Sequence, residues 1–249
     1  MRYADSVKDP LAPNVAALDL SDRIGRVAAP LRQQVLEVLR DAILEFQLKP
    51  GQRLIERELI EFTGVSRTTI REVLRELAAE GLVKTIPQKG AVVVVPSPEE
   101  AAELYEIRGL LEGRMARLFV ERASSAQVGA LRKAFDAIDQ ATGRGAGTAT
   151  ILKAKNVFYD VLGKGAGNHS LAEMVAQLHA RVSLIRATSL SSADARPRAA
   201  ADELRDVVEA VEARDAGRAE AAIARHVENA AAAGVAGLAG WQGAPPISR

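Results

Sequence analysis

The sequence predicts a mostly α-helical protein in two parts, three helices with a β-hairpin followed by an all-α helical bundle. Three observations carry this reading. Apolar residues recur at helical spacing from Leu31 onward. The run LVKTIPQKGAVVVV is rich in β-branched residues and is broken by turn chemistry at residues 87–90. After Pro96-Ser97-Pro98 the composition shifts to Ala, Leu, Glu and Arg with almost no strand signal.

Residues 1–26 lack a sustained period and are expected to form a loose arm, with at most a short helical turn over residues 15–20. A first helix starts at Pro30 and places Leu31, Val35, Val38, Leu39, Ala42, Ile43 and Phe46 on one face; Lys49-Pro50-Gly51 ends it. The apolar pair Leu54-Ile55 leads into ERELIEFTG, a brief helix that stops at Gly64, and GVSRTTIREVLREL supplies a third. With the hairpin these fill a first domain over residues 27–96. Beyond it, helices are expected near 99–122, 125–141, 149–163, 169–190, 198–213 and 215–234, separated by TGRGAGT, GKGAG and SSADARP. They define a second domain over residues 97–236, and GLAGWQGAPPISR contributes a frayed tail, 237–249, that Trp241 could pin in part.

Composition narrows the function. Lys plus Arg (33) nearly cancel Asp plus Glu (32), so affinity for nucleic acid must come from local placement of charge. The absence of cysteine removes disulfides, zinc ribbons and thiol catalysis, and suits a reducing cytoplasm. No apolar run approaches a bilayer span, and the charged, proline-containing start does not read as a signal peptide. Glu-x-x-His pairs, a phosphate-binding Gly-x4-Gly-Lys loop and a Gly-x-Ser-x-Gly elbow are all missing, so an enzyme is not expected.

The third helix carries the strongest signal. Ser66 can cap it, and Val65 with Ile70 has the spacing of a hydrophobic staple. Ile70, Val73, Leu74 and Leu77 form a buried stripe that leaves Arg67, Thr68, Arg71 and Arg75 on the opposite face. A helix presented N-terminus first to the DNA major groove favours phosphate at its positive end; Arg can grip guanine, and Thr can reach phosphate or the thymine methyl. The hairpin tip, Lys89 and Gly90, would act as a wing, Lys neutralising phosphate and Gly permitting close backbone approach. The competing interpretation is a solvated arginine face balanced by Glu72 and Glu76. Helix, short helix, Gly turn, capped basic helix and hairpin together favour a winged helix-turn-helix instead.

The run PGQRLIERELIEFTGVSRTTIREVLRELAAEGLVKTIPQKGAVV resembles the DNA-binding domain of GntR-family transcription regulators, whose hallmark is a V-S/T-R-T-x-x-R-E-x-L recognition helix followed by L-x-x-E-G-L. In the FadR-like branch, DNA contacts come from an Arg of the second helix, two Arg and the intervening Thr of the third, and a wing Gly. The resemblance assigns these roles to Arg57, Arg67, Thr68, Thr69, Arg71 and Gly90. ELYEIRGLLEGRMARLFVERA, FYDVLGKGAGNHSLAEMV and DVVEAVEARDAGRAEAAIARHVENA are similar to the all-α FCD domain of the same branch.

Most FCD domains hold a divalent metal with one Asp and three His, and small carboxylates bind at or near it. Here the resemblance puts Lys155, Tyr159, Leu204 and His226 at the ligand positions, so no metal or other cofactor is expected. A one-residue frame shift would offer Asn156 and Asp160 but break the anchor at Phe158. The remaining histidines, His169 and His179, are expected on the surface or in loops. Without metal, arginine can hold a carboxylate with its two-pronged fork. Arg108, Arg114, Arg181 and Arg186 are the candidates, with Tyr159 and His226 as polar partners; salt-bridged or solvated arginines, as Arg108 with Glu112, are the competing reading. The resemblance thus implies a cytoplasmic, homodimeric, ligand-responsive regulator, most often a repressor, that reads a short pseudo-palindromic double-stranded DNA operator and answers to a small carboxylate effector. The alternative is a dimeric DNA-binding protein whose helical domain only dimerises.

Overall fold

The computed structural model describes residues 31–191, 193 and 195–239, so the predicted arm, the first residue of helix one and Trp241 lie outside the described residues. Two compact units divide between Val95 and Pro96. The first contains α1 (Leu31–Leu44), β1 (Arg53–Leu54), α2 (Glu56–Thr63), α3 (Arg67–Ala79), β2 (Val83–Ile86) and β3 (Gly90–Val93). α1 and α2 each pack on α3, and Val35, Leu36, Leu39 and Ile43 of α1, Leu59 of α2, and Ile70, Val73 and Leu77 of α3 are all fully buried. Charge pairs tie α1 to α3 at the rim: Arg32 binds Glu76, and Arg40 Nε donates to Glu80 at 2.7 Å.

This unit departs from the sequence reading in two places. Helix one ends at Leu44, before Phe46, which adopts a left-handed φ of 56° while the Leu48 N–H turns back to the Ala42 carbonyl at 3.0 Å. Leu48 is fully buried, so the core holds this turn before the proline and glycine are reached. Arg53 and Leu54 form a third strand, antiparallel to β3 with Arg53 opposite Val92 and Leu54 opposite Ala91. Two residues are too few to show a strand period, and for this reason the wing reads from sequence as a hairpin alone.

The second unit is a helical bundle of α4 (Pro98–Arg122), α5 (Ser125–Gly143), α6 (Thr148–Ala166), α7 (His169–Arg181), α8 (Ser183–Ser191), α9 (Arg196–Glu212) and α10 (Ala216–Ala239). Caps define several starts: Ser97 accepts from the Glu100 N–H, Asn168 from that of Leu171, and Ser124 with Gln127 closes a reciprocal capping box. α10 packs on α4, α8 and α9, while α5 packs on α6 and α9. α10 continues to Ala239, past residue 236, because Leu238 is buried in the same cluster as Tyr105 and Ile185.

The helix expected over 169–190 is two helices. Val182 leaves helical geometry at φ −98° and ψ 8°, and the Ser183 hydroxyl donates to the His179 carbonyl at 2.8 Å. Such back-bonding bends a helix without any glycine or proline to announce it. The bend redirects α8, in which residues 184–190 are all buried.

Gly165 shows how closely α6 and α4 approach: a Cβ there would lie 2.2 Å from the ring of Phe119, which is fully buried. Gly165→Ala is therefore expected to lower the unfolding free energy by about 1–3 kcal/mol through overpacking, despite alanine's better helix propensity. Urea denaturation reads this directly, and an unchanged midpoint would mean that the Phe119 ring can yield.

Candidate DNA-reading surface and buried polar cluster

Within the first unit, α3 is presented as its sequence requires. The Ser66 hydroxyl accepts from the Thr69 N–H at 3.1 Å, and Val65 and Ile70 are both buried. Gly64 takes the left-handed conformation, φ 69°, that ends α2 and turns the chain into α3. Arg67, Thr68 and Arg71 are exposed, and Arg67 has no ion-pair partner among the described residues. Arg71 is held by Glu56 at 3.0 Å, which presents its guanidinium from a fixed position, whereas Arg57 is only loosely paired to Glu61 at 3.9 Å. Thr69 is half-buried, and its hydroxyl lies 2.9 Å from that of Ser66, so this pair serves the cap first.

Neither Glu72 nor Glu76 balances the arginines within the helix. Glu76 pairs with Arg32 of α1, and Arg75 remains exposed without an ion pair among the described residues. In the wing, the Lys89 N–H closes a turn onto Ile86 at 3.1 Å, Gln88 has φ 65° as the third residue of a type II turn, and Gly90 has φ 80°. Lys89 and Gly90 are both exposed. The face offered by α3 and the wing is cationic, rich in donors and open.

In the helical unit, four of the six candidate effector residues converge. Arg108 from α4, Tyr159 from α6, Arg186 from α8 and His226 from α10 are all buried in the bundle. Arg114 and Arg181 do not join them: Arg114 is exposed, and Arg181 faces outward to Glu100 at 3.2 Å. Both lie off the apolar stripes of their helices. His179, expected at the surface, is buried beside Tyr159, their rings 4.5 Å apart and nearly perpendicular.

The cluster has two hydrogen-bonded arms. In one, Arg108 Nε and His179 Nε2 both donate to Glu112 Oε1, each at 2.7 Å. Burial alone would raise the Glu112 pKa, but Arg108 and His179 hold it well below the ordinary carboxylate range. In the other, Glu203 only accepts: His226 Nδ1 donates to it at 2.6 Å, and Arg196 at 2.7 Å. His226 is thereby fixed as the tautomer whose Nε2 accepts, and Lys155 Nζ donates to that nitrogen at 3.0 Å. Burial, then Arg186 and Arg108, drive the Lys155 pKa well down from its usual value.

A cavity of about 10 Å³, room for a single water, opens between the arms, lined by Tyr105, Arg108, Lys155, Arg186, Ser189 and Arg196 together with Leu190, Ala200 and Ala230. Arg108 stacks over Tyr105 at 4.5 Å, and Arg186 Nη1 donates to Asn156 at 2.8 Å. The competing reading of Arg108 as a salt-bridged arginine holds, since Glu112 pairs with it four residues on; sequence reasoning missed His179, Arg196, Glu203 and Tyr105 as members and took Lys155 only as a lost metal ligand. A usable signal existed: each of Tyr105, Arg108, Glu112, Lys155, His179 and His226 falls in phase with the apolar stripe of its helix. Among the described residues, no group of three or more His, Asp or Glu is placed to hold a metal ion.

Burial lowers the pKa of His179 to about 4 and that of His226 to about 3. Between pH 6.5 and these values the unfolded chain binds protons that the folded chain refuses, so stability is full above pH 6.5 and falls as pH drops. At pH 5 the loss should be on the order of 2 kcal/mol per histidine relative to pH 7. Urea denaturation at the two pH values measures it. His179→Gln, which keeps a donor for Glu112, should flatten the dependence, and equal stability of the native chain at both pH values would refute the buried neutral imidazoles.

Comparison with known proteins agrees with both halves. Residues 31–93 match the model of the bacterial regulatory proteins of the gntR family, and residues 103–229 match the FCD domain. The chain is similar to YdhC, an HTH-type transcriptional regulator of Bacillus subtilis, at 26% identity over 182 residues, covering 73% of this chain and 81% of that one. It is also similar to the Nta operon transcriptional regulator of Aminobacter aminovorans, at 31% identity over 57% of this chain and 67% of the relative. Among solved structures, Escherichia coli McbR/YncC superposes with a TM-score of 0.65 at 25% identity, covering 81% of this chain and 95% of that one. The matched FCD model spans half of the sequence and the gntR model most of the first unit, and on these grounds the chain belongs to the GntR family of bacterial transcription regulators, in the group that carries an FCD domain.

Proposed function

We propose that this GntR-family regulator is a cytoplasmic, homodimeric repressor that reads a short pseudo-palindromic operator and is released from it, or held to it, by a small organic acid bound in the helical unit. The observation that carries the DNA-reading half is the open N-terminal face of α3, where Arg67, Thr68 and Arg71 stand exposed around a capped helix start beside an exposed Lys89 and Gly90. A helix start carries partial positive charge and free N–H groups, so it orients on phosphate while the arginines reach base edges. Arg57 would add a backbone contact, and Arg75, a turn farther from the leading end, at most another.

Two protomers related by a two-fold axis would give the operator its palindromic form. Support for self-association comes from Ile107 and Leu110 of α4, one turn apart and 47% and 71% exposed, on a helix whose other large apolar residues are buried or half-buried. The sensing half is supported by the buried, incompletely paired cations of the bundle, which a purely dimerising domain has no need to retain. An acid bound there would change operator affinity by the difference between its affinities for the two states of the protein. Metal is not part of this reading.

Binding to the operator, read by fluorescence anisotropy across a salt series, should weaken steeply as salt rises. Arg67→Ala should cost about 1–3 kcal/mol and relax sequence preference, whereas Lys89→Ala should weaken all sequences alike and reduce the salt slope by about one. Affinity indifferent to salt would sink the proposal. Light scattering should show a dimer that Leu110→Glu weakens; a wild-type monomer at micromolar concentration would exclude the two-fold reading.

A further inference from the structure

Four side chains that line the cavity of the bundle each keep a buried hydrogen-bonding atom with no partner among the described residues. Arg108 gives Nε to Glu112 and leaves Nη1 unpaired, and Arg186 gives Nη1 to Asn156 and leaves Nη2 unpaired. Arg196 spends both outer nitrogens on Glu203 and leaves Nε unpaired. The fourth atom is the Tyr105 hydroxyl, whose pKa burial raises, so it keeps its proton and is also a donor. Native proteins rarely leave such groups unmet, because a buried donor has given up its hydration and gains nothing in return. These four come from α4, α8 and α9 and meet at one small space.

The charge is unbalanced as well. Arg108, Arg186 and Arg196 face Glu112 and Glu203, three positive charges against two negative, so one positive charge is in excess even with Lys155 neutral. Arg108 and Arg186 are 1% and 5% exposed, so bulk water does little to screen it. Neither carboxylate lines the cavity, which is walled by donors and by Leu190, Ala200 and Ala230. An unpaired buried charge is costly, and a single negative charge placed here would cancel it.

Size narrows the occupant further. The cavity has room for a single water, but a water can accept from only two of the three guanidinium N–H groups, and it leaves the charge in place. A metal cation is opposed by every donor in the lining, and the His226 Nε2 that it would need already accepts from Lys155 at 3.0 Å. A halide meets size, sign and donor number together: it is only slightly larger than water, carries one negative charge and accepts from several donors at once. We infer that the bundle holds a chloride ion, bound by Arg108 Nη1, Arg186 Nη2, Arg196 Nε and the Tyr105 hydroxyl, as a structural anion that joins α4, α8 and α9. The inference stands apart from the sensor reading, because an organic acid is larger than this cavity and would have to move these side chains apart and expel the ion.

The experiment uses the full chain, free of DNA, exchanged into sodium gluconate, whose anion is too large for the cavity. Sodium chloride, bromide or acetate then replaces gluconate at constant ionic strength, and Tm is followed by differential scanning calorimetry. Tm should rise and saturate with chloride and with bromide, and acetate should give no comparable rise. Tyr105→Phe should shift the midpoint of the chloride titration about ten-fold upward, while its Tm in gluconate equals or exceeds that of the native chain because an unmet hydroxyl has gone. Crystals of the native chain grown in sodium bromide give a second reading should Tyr105→Phe fold poorly, with an anomalous difference peak expected between the three arginines. A Tm indifferent to halide, an equal rise with acetate, a chloride midpoint unmoved by Tyr105→Phe, or water alone at the site in the bromide crystals would overturn the inference.

Discussion

Glu112 is a carboxylate with no access to solvent, and the helical unit is organised around making that tolerable. Its two donors arrive from different directions, Arg108 from one turn earlier on the same helix and His179 from α7. A lone charge in such a place would neutralise itself by taking a proton; with two donors at 2.7 Å it remains ionised, and removing either partner would leave a buried charge costing about 3–5 kcal/mol. The constraint propagates outward. His179 must be buried and neutral to serve, α7 must end just beyond it so that Ser183 can take its carbonyl, and the bend that follows carries α8, with Arg186, into the core.

A hydrocarbon core would be the simpler way to stabilise a bundle, since replacing buried ion pairs by apolar residues is often neutral or favourable. The second unit already has such a core around Phe119, Phe158, Leu162 and Val207, all fully buried. Stability alone therefore does not account for the polar cluster. What it achieves is preorganisation: Glu203 orients His226, His226 orients Lys155, and Glu112 orients Arg108, each leaving donors directed at a shared space. A ligand meeting groups already fixed in this way loses less to ordering than one that must gather mobile side chains. The same logic appears at smaller scale in the first unit, where Glu56 holds Arg71 and Ser66 holds the start of α3.

The parts legible in the sequence were those governed by local rules. The cap at Ser66, the turn at Gly64 and the stripe of Ile70, Val73, Leu74 and Leu77 each follow from residues within one or two turns, and each is found as read. The breaks that went unread depend on distant partners. Phe46 takes a positive φ because Leu48 is drawn into the core, β1 exists because β3 is there to pair with it, and α7 ends at a valine with no local breaker in sight. The same division separates the effector candidates. Arg114 and Arg181 could be dismissed from helical phase alone, whereas Glu203 and Arg196 join the cluster through contacts that no periodicity encodes.

Phase also explains why Lys155 carries more weight than its absence from the family's ligand set suggests. It occupies an inward position between Ile151, Leu152 and Phe158, where a lysine loses its hydration and has one hydrogen-bonded neighbour, a neutral imidazole, to receive it. Arg108 and Arg186 raise the cost further by like charge. An apolar residue would fill the position at less expense in free energy, and an aspartate would restore the family's chemistry. A lysine does neither: it stands as a buried hydrogen-bonding neighbour of His226, its proton held less tightly than in water because burial, then Arg186 and Arg108, disfavour the charge.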